Sequence, residues 1–245
     1  MTELIGHVHH RGVTTLTLDS PANRNALSAA LVAGLRDALD RCGEDDTVRA
    51  VVLTHTGNTF CAGADLRDPP DPGALVSLLR RFLDLPKPVV ARVTGHVRAG
   101  GLGLLGACDI AAAGPDATFA LTEVRIGVAP AVISLTLLPR TDPRALARYY
   151  LTGEKFGPAE ATRLGLLTAS GADVDDVLAP VLDGLRRASP KALAETKRLL
   201  TAKVLENFDQ DADDLTRLSA RLFASADARE GMTAFLERRD PGWVL

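Results

Sequence analysis

Aromatic residues are scarce in this 245-residue chain, at 4%, with one tryptophan and two tyrosines. Platforms that stack nucleic-acid bases need aromatic faces. A surplus of positive charge is missing too: 28 basic against 31 acidic residues leave a net −3, with a pI near 6.0. Such a surplus is what holds a phosphate backbone, so no nucleic-acid partner is expected. Cysteine occurs only three times, at Cys42, Cys61 and Cys108, without a C-x-x-C pair. That excludes a disulfide framework and fits a reducing compartment. No uncharged run reaches the roughly 20 residues that cross a bilayer; the glycine-rich stretch 99–108 stops at Asp109. Residues 1–7 lack the basic-then-apolar pattern of an export signal. These absences predict a cytoplasmic protein with no membrane partner.

What the chain does contain is 46% hydrophobic and 24% charged residues, the balance of an ordinary globular protein. The length fits one large domain, or a domain with an appendage. Residues 4–10 and 13–19 predict two strands around Arg11-Gly12. Ser28 predicts the cap of a helix whose apolar residues Leu31, Leu35, Ala38 and Leu39 recur three and four apart. Buried strands are predicted at 48–54 and 89–94, with a helix over 74–85 between them after a proline-rich loop. A glycine-dense helix start follows at Gly100, then short strands at 110–113 and 118–120. Beyond Pro143 only helices stand out: 144–151, 158–164, 174–187, 191–206, 211–224 and 229–238. Strands and helices alternate early and helices alone come late. The expectation is therefore an α/β core over 1–188 and a helical region over 189–245. No sequence repeat has a clear period.

Gly101-Leu-Gly-Leu-Leu-Gly106 matches G-x-G-x-x-G, the pattern that cradles a dinucleotide pyrophosphate. Its context argues against that reading. Val97-Arg98-Ala99 intervene after Gly95, and no strand end downstream offers an acidic ribose ligand. The same glycines permit another chemistry. A helix start presents N–H groups without intrahelical partners at the positive end of its dipole, and glycine lets a substrate oxygen come close. The turn Phe60-Cys-Ala-Gly-Ala-Asp-Leu66 offers a second set of donors. Two backbone donors from separate segments are what an oxyanion hole requires. Ser134 sits in no nucleophile elbow and no histidine follows His96, so a serine hydrolase is not supported.

Several further segments fall in one order with these turns: Asn25-Ala-Leu27, Lys87-Pro-Val-Val90, Gly95, Ala107-Cys-Asp-Ile110, Phe119-Ala-Leu-Thr-Glu-Val124, Gly127, Leu151-Thr-Gly153 and 159–165. In that order and spacing the chain resembles the crotonase (enoyl-CoA hydratase/isomerase) superfamily over nearly its whole length. The resemblance implies a crotonase-like spiral of ββα units, then C-terminal helices that build a homotrimer, commonly doubled to a hexamer. It implies an acyl-CoA thioester substrate, no cofactor beyond that coenzyme A, no metal, and a place in fatty acid metabolism. Carried over residue by residue, the backbone N–H groups of Ala64 and Gly100 would hold the thioester oxygen. Arg24, Asn25, Ala26, Ala62, Gly63, Asp65, Leu66 and Gly101 would line the coenzyme groove. Arg238 and Arg239 would reach a neighbouring subunit's ligand.

Hydratases of that family use two glutamates to hold water and move a proton. Relative to Asp109, the first falls on Gly103 and the second on Glu123. One acid/base residue therefore matches and its companion does not. Glu123 has two readings: a desolvated catalytic acid/base, or a surface glutamate paired with Arg125, worth under ~1 kcal/mol. The leading expectation is an enoyl-CoA hydratase-like lyase adding water to a 2-enoyl-CoA. Glycine at 103 also resembles the methylglutaconyl-type hydratases, which tilts the reading toward hydration. The alternative is a 3,2-enoyl-CoA isomerase in which Glu123 takes a proton from C2 and returns it to C4. A non-catalytic acyl-CoA-binding protein is the reading of another class. His96 and Arg98 either line the acyl pocket or are ordinary residues at a strand end. The pocket walls are expected from 67–85 and 132–138, and Cys61 and Cys108 as small buried hydrophobes.

Overall fold

The computed structural model describes residues 4–245. Strands β1 (Ile5–His10) and β2 (Val13–Leu18) form an antiparallel hairpin. Arg11 and Gly12 between them both have positive φ, 47° and 78°, the type I′ geometry that matches the strand twist. Helix α1 (Ala29–Glu44) starts where Ser28 accepts a hydrogen bond from the Leu31 N–H at 3.2 Å, and it buries Leu31, Leu35, Ala38 and Leu39.

From there the chain winds as a spiral. β3 (Ala50–His55) enters a large sheet and β4 (Thr59–Cys61) a small one, and α2 (Pro72–Asp84) returns the chain. The next turn repeats this with β5 (Val89–Val93), β6 (His96–Arg98) and α3 (Gly100–Ala107). A third has β7 (Ile110–Ala113) and β8 (Phe119–Ala120), followed by a 3-10 turn, Glu123–Ile126. The large sheet runs β1-β2-β3-β5-β7-β9 and the small one β4-β6-β8, and all pairings after the hairpin are parallel. The repeat is thus structural and leaves no sequence period. β4, β6 and β9 (Ala169–Ser170) escape the sequence pattern because they are two or three residues long, too short for alternation to register.

Helices α4 (Ser134–Leu137), α5 (Pro143–Thr152), α6 (Pro158–Arg163) and α7 (Val174–Arg187) follow. α7 covers one face of the large sheet, where Val174 and Leu178 pack with Val13, Val52, Val90 and Ala112. The main core lies on the other face. Residues 191–206 and 211–224 are not two helices. They form one 34-residue helix, α8 (Pro190–Phe223). No glycine or proline interrupts 207–210, and buried Phe208 continues the apolar stripe of Val204. Both join the main core, so α8 is packed onto the spiral. α9 (Ala226–Glu237) ends at Arg238 in the left-handed conformation, φ 57°. Among the described residues no helix is long and apolar enough to cross a membrane. All three cysteines are buried and free.

Candidate active site

Two backbone segments meet at the top of the small sheet. Leu27 bridges Ala64 in parallel: the Leu27 N–H donates to the Gly63 carbonyl at 2.7 Å, and the Asp65 N–H donates to the Leu27 carbonyl at 3.0 Å. In that pattern the N–H and C=O of the intervening residue point to the opposite side, so the Ala64 N–H faces away from Leu27. Gly100 opens α3, where an N–H has no intrahelical acceptor. The two segments touch. A Cβ on Gly63 would lie 2.8 Å from the Ala99 Cβ and 3.7 Å from the Gly100 nitrogen, and one on Gly100 would lie 4.0 Å from the Ala64 nitrogen. Gly63 at φ 92° and Ala99 at φ 47° hold the crossing in backbone conformations that L-residues rarely adopt. This arrangement can hold a developing oxyanion between two amides.

Around these amides opens a cavity of about 1010 Å³, whose wall includes Arg24, Ala26, Ala62, Ala64, Asp65, Leu66 and Gly100. Asn25, Gly63 and Gly101 do not line it. Asn25 is fully buried with φ 53°; its Oδ1 accepts from the Ser20 N–H at 2.7 Å, and its Nδ2 donates to the carbonyls of Thr56 (3.1 Å) and Thr59 (2.7 Å). It ties the loop before α1 to the end of β3, because an asparagine both tolerates left-handed backbone and satisfies buried carbonyls. Gly101 backs onto Cys61, where a Cβ would fall 2.7 Å from the Cys61 Cβ. All of α3 is buried, so the G-x-G-x-x-G match is a core helix. Asp65 accepts from Asn23 Nδ2 at 3.2 Å and from the Arg67 N–H at 3.0 Å. Burial pushes the Cys61 and Cys108 thiols up to about 12, which leaves both unreactive.

Glu123 begins the 3-10 turn and reaches the cavity with 8% of its surface exposed. Among the described residues its Oε2 accepts no hydrogen bond. Desolvation pushes the carboxyl up to about 7, against the smaller pull of its own backbone N–H. Pairing with Arg125 is not what the structure has, since Arg125 Nε donates to the Thr152 carbonyl at 3.0 Å. A buried carboxyl that titrates near neutrality at the wall of a cavity can both take and return a proton. Position 103 is occupied by packing. A Cβ on Gly103 would fall 2.5 Å from Ile133 Cγ2 and 3.0 Å from Ile133 Cβ. The isoleucine fills the space that a side chain at 103 would need.

Pro70 and Leu75 line the cavity from the 67–85 segment, and Val132 and Ile133 from 132–138. Arg98 lines it as well; its Nη1 donates to the Thr118 carbonyl at 2.6 Å and its Nη2 to Thr118 Oγ1 at 2.7 Å. His96 lies outside, with Nδ1 3.0 Å from Thr118 Oγ1. Arg239 lines this chain's own cavity, paired with Glu230 at 2.6 Å and Glu237 at 2.7 Å, while Arg238 is exposed at the end of α9. Sequence reasoning missed the wall built by Phe235, Leu236, Trp243 and Val244. The small residues Ala228, Gly231 and Ala234, three apart on α9, were the available sign that this helix packs closely.

The ββα spiral and the backbone-lined cavity define a protein of the crotonase type. Comparison with known proteins agrees. The family model for enoyl-CoA hydratase/isomerase matches residues 9–244. A solved enoyl-CoA hydratase from Mycobacterium avium is 51% identical, with a TM-score of 0.93 and full coverage of both chains at 100%. An enoyl-CoA hydratase from Mycobacterium tuberculosis is 33% identical over 96% of this chain and 95% of its own. A 1,2-epoxyphenylacetyl-CoA isomerase from Escherichia coli is 34% identical over 98% of each. The chain belongs to the enoyl-CoA hydratase/isomerase family.

Proposed function

We propose that this enzyme adds water across the double bond of a 2-enoyl-CoA thioester, with Glu123 as its single general acid/base. The observation that carries the reading is one buried carboxyl, its Oε2 without a hydrogen-bond partner among the described residues, titrating near 7 in the same cavity as the Ala64 and Gly100 amides. In this mechanism the thioester oxygen binds between those two amides, so electron density displaced from the double bond collects where donors already wait. Ionised Glu123 draws a proton from water as its oxygen bonds to C3. The protonated carboxyl then delivers that proton to C2 of the enolate. One carboxyl ends as it began. The reaction needs no cofactor beyond the coenzyme A of the substrate. Ala62, Asp65 and Leu66 serve the groove for that coenzyme, with Arg24 near its phosphates.

Ile133 in the second acid position favours a second reading, isomerisation of a 3-enoyl to a 2-enoyl thioester. That needs one base, which moves a proton from C2 to C4. Purified protein incubated with crotonyl-CoA and, separately, with a 3-enoyl-CoA separates the two. Loss of the 2-enoyl chromophore from crotonyl-CoA is the expected result; its appearance from the 3-enoyl substrate alone makes the enzyme an isomerase. Coenzyme A binding with no turnover of either sinks both. We further infer a homotrimer or a dimer of trimers, because Leu151, Leu199 and Leu200 stand 70% exposed or more on this single chain. Light scattering that finds a monomer overturns it.

A further inference from the structure

Packed helices ordinarily meet through side chains, with axes about 8–10 Å apart. Where α9 crosses the turn that carries Glu123, backbone meets backbone. A Cβ on Gly231, mid-helix, would fall 2.5 Å from the Ile126 carbonyl carbon and 2.6 Å from its Cα and oxygen. From the turn's side, a Cβ on Gly127 would fall 2.5 Å from the Asp227 carbonyl carbon and 2.9 Å from the Ala228 nitrogen. Ile126 is the last residue of the 3-10 turn, and Gly127 closes it in the left-handed conformation, φ 76°. The Val128 N–H then bonds back to the Glu123 carbonyl at 3.1 Å. One end of a four-residue turn is therefore clamped against α9, and the other end carries the carboxyl.

The carboxyl has little else to aim it. Among the described residues its Oε2 has no hydrogen-bond partner, and the bond the carboxyl does take is from its own backbone N–H. Of the groups around it, Arg125 on the same turn donates to Thr152. Tyr150 of α5 lies close enough to feel its charge, but its hydroxyl is 3.2 Å from Ser134 Oγ. On α9, Asp227 meets the turn through its backbone, and Glu230 is held by Arg239. Orientation falls to the backbone of the turn. Glycine is among the poorest helix formers, so its place inside α9 answers to this contact rather than to the helix.

On the reading that Glu123 moves the proton, we propose that Gly231 is a positioning residue: by admitting the Ile126 backbone against α9, it sets the turn that aims Glu123 into the cavity. The test is Gly231→Ala. By helix propensity alone this change strengthens α9. In place it puts a methyl where only backbone can yield, and the turn must retreat by about 1 Å in a close-packed interior. The expected result is a kcat lower on the order of 100-fold, with KM and the affinity for free coenzyme A near the wild type. Carbon-13 NMR of labelled glutamate in the ligand-free protein should show Glu123 titrating lower, toward the ordinary carboxylate range, as water reaches it. Thr233→Ala, on the exposed face of α9, leaves both readings unchanged. Should Gly231→Ala fail to fold, Ala228→Ser adds less bulk to the same buried face and should move both readings the same way by a smaller amount. A folded Gly231→Ala protein with wild-type kcat and wild-type Glu123 titration overturns the proposal. The NMR reading needs no turnover, so it still judges the clamp if the wild type proves inactive on enoyl thioesters.

Discussion

Two carboxylates, Asp109 and Glu123, lie in the interior of this protein and are treated in opposite ways. Asp109 Oδ2 accepts from the Val89 N–H at 2.8 Å and from Lys197 Nζ at 2.8 Å. Lys197 is itself 4% exposed and donates to the carbonyls of Phe82 (2.6 Å) and Lys87 (3.0 Å). Burial lowers the Lys197 ammonium pKa, and the neighbouring Asp109 charge pulls the other way. Glu123 has no such company. With such partners a buried charge becomes a fastener, here joining α8 to the edge of α2 and the start of β5. With only its own backbone N–H to bond it, the Glu123 carboxyl becomes a titrating group near neutral pH. The fold supplies partners at one site and withholds them at the other.

The largest effect expected on activity tests the withheld side. Glu123→Gln keeps the shape and removes the titration. Turnover of whichever enoyl thioester is the substrate should fall about 10²–10⁴-fold, while isothermal titration finds coenzyme A affinity unchanged. Activity that survives intact would remove Glu123 from the mechanism. The supplied side is tested by Asp109→Ala, which strands the Lys197 ammonium in the core. Breaking a buried pair costs roughly 3–5 kcal/mol, read as a lower urea midpoint at unchanged slope. Adding Lys197→Met should recover part of that, but not all, because the Phe82 and Lys87 carbonyls then lose their donor.

Protonation separates the same two sites more gently. The Glu123 carboxyl goes from an ordinary 4.5 in the unfolded chain to about 7 in the fold. Between those values the folded protein holds a proton that the unfolded chain has released, so the contribution to stability is full below the unfolded value and is lost as pH rises through about 7. Relative to Glu123→Gln, the wild type should therefore weaken between acidic and mildly alkaline pH by about 3 kcal/mol at most. Parallel urea titrations of the two proteins across that range measure it; curves that stay parallel would mean the carboxyl is solvated. In kinetics the sign is opposite: the proposed mechanism requires the basic form, so kcat/KM should climb with pH through the same region.

How much of this was legible beforehand depends on range. The Ser28 cap, the Arg11-Gly12 turn and the buried strands at 48–54 and 89–94 are written in neighbouring residues, and they stand within a residue or two of where the chain places them. The two glycine turns were legible as places where backbone amides stand free, and the chain brings them together. Asn25 was misplaced because its local pattern is shared by a groove residue and a buried clamp, and only the carbonyls of Thr56 and Thr59, some thirty residues on, tell them apart. The Ile133 contact with Gly103, the Lys197 contact with Asp109 and the Gly231 contact with Ile126 share that character. Each joins residues far apart in the chain, and no periodicity announces it.

The smallest expected effect concerns why Glu123 is alone. A missing second acid is either a vacancy, open to any side chain, or a position already spent on packing, and the two differ measurably. Ile133 Cγ2 would lie 2.5 Å from a methyl at 103, so Gly103→Ala should overpack the core and cost about 1–3 kcal/mol, with kcat little changed because Glu123 and the two amides stay in place. Ile133→Ala alone leaves a void and costs more, about 2–5 kcal/mol. Together the new methyl occupies part of that void, so the double variant should lose less than the two single losses combined, by an interaction of roughly 0.5–3 kcal/mol. Urea denaturation of all four proteins closes the cycle. Additive losses, or a Gly103→Ala as stable as the wild type, would show that the isoleucine does not fill the site and that the solitude of Glu123 has some other cause.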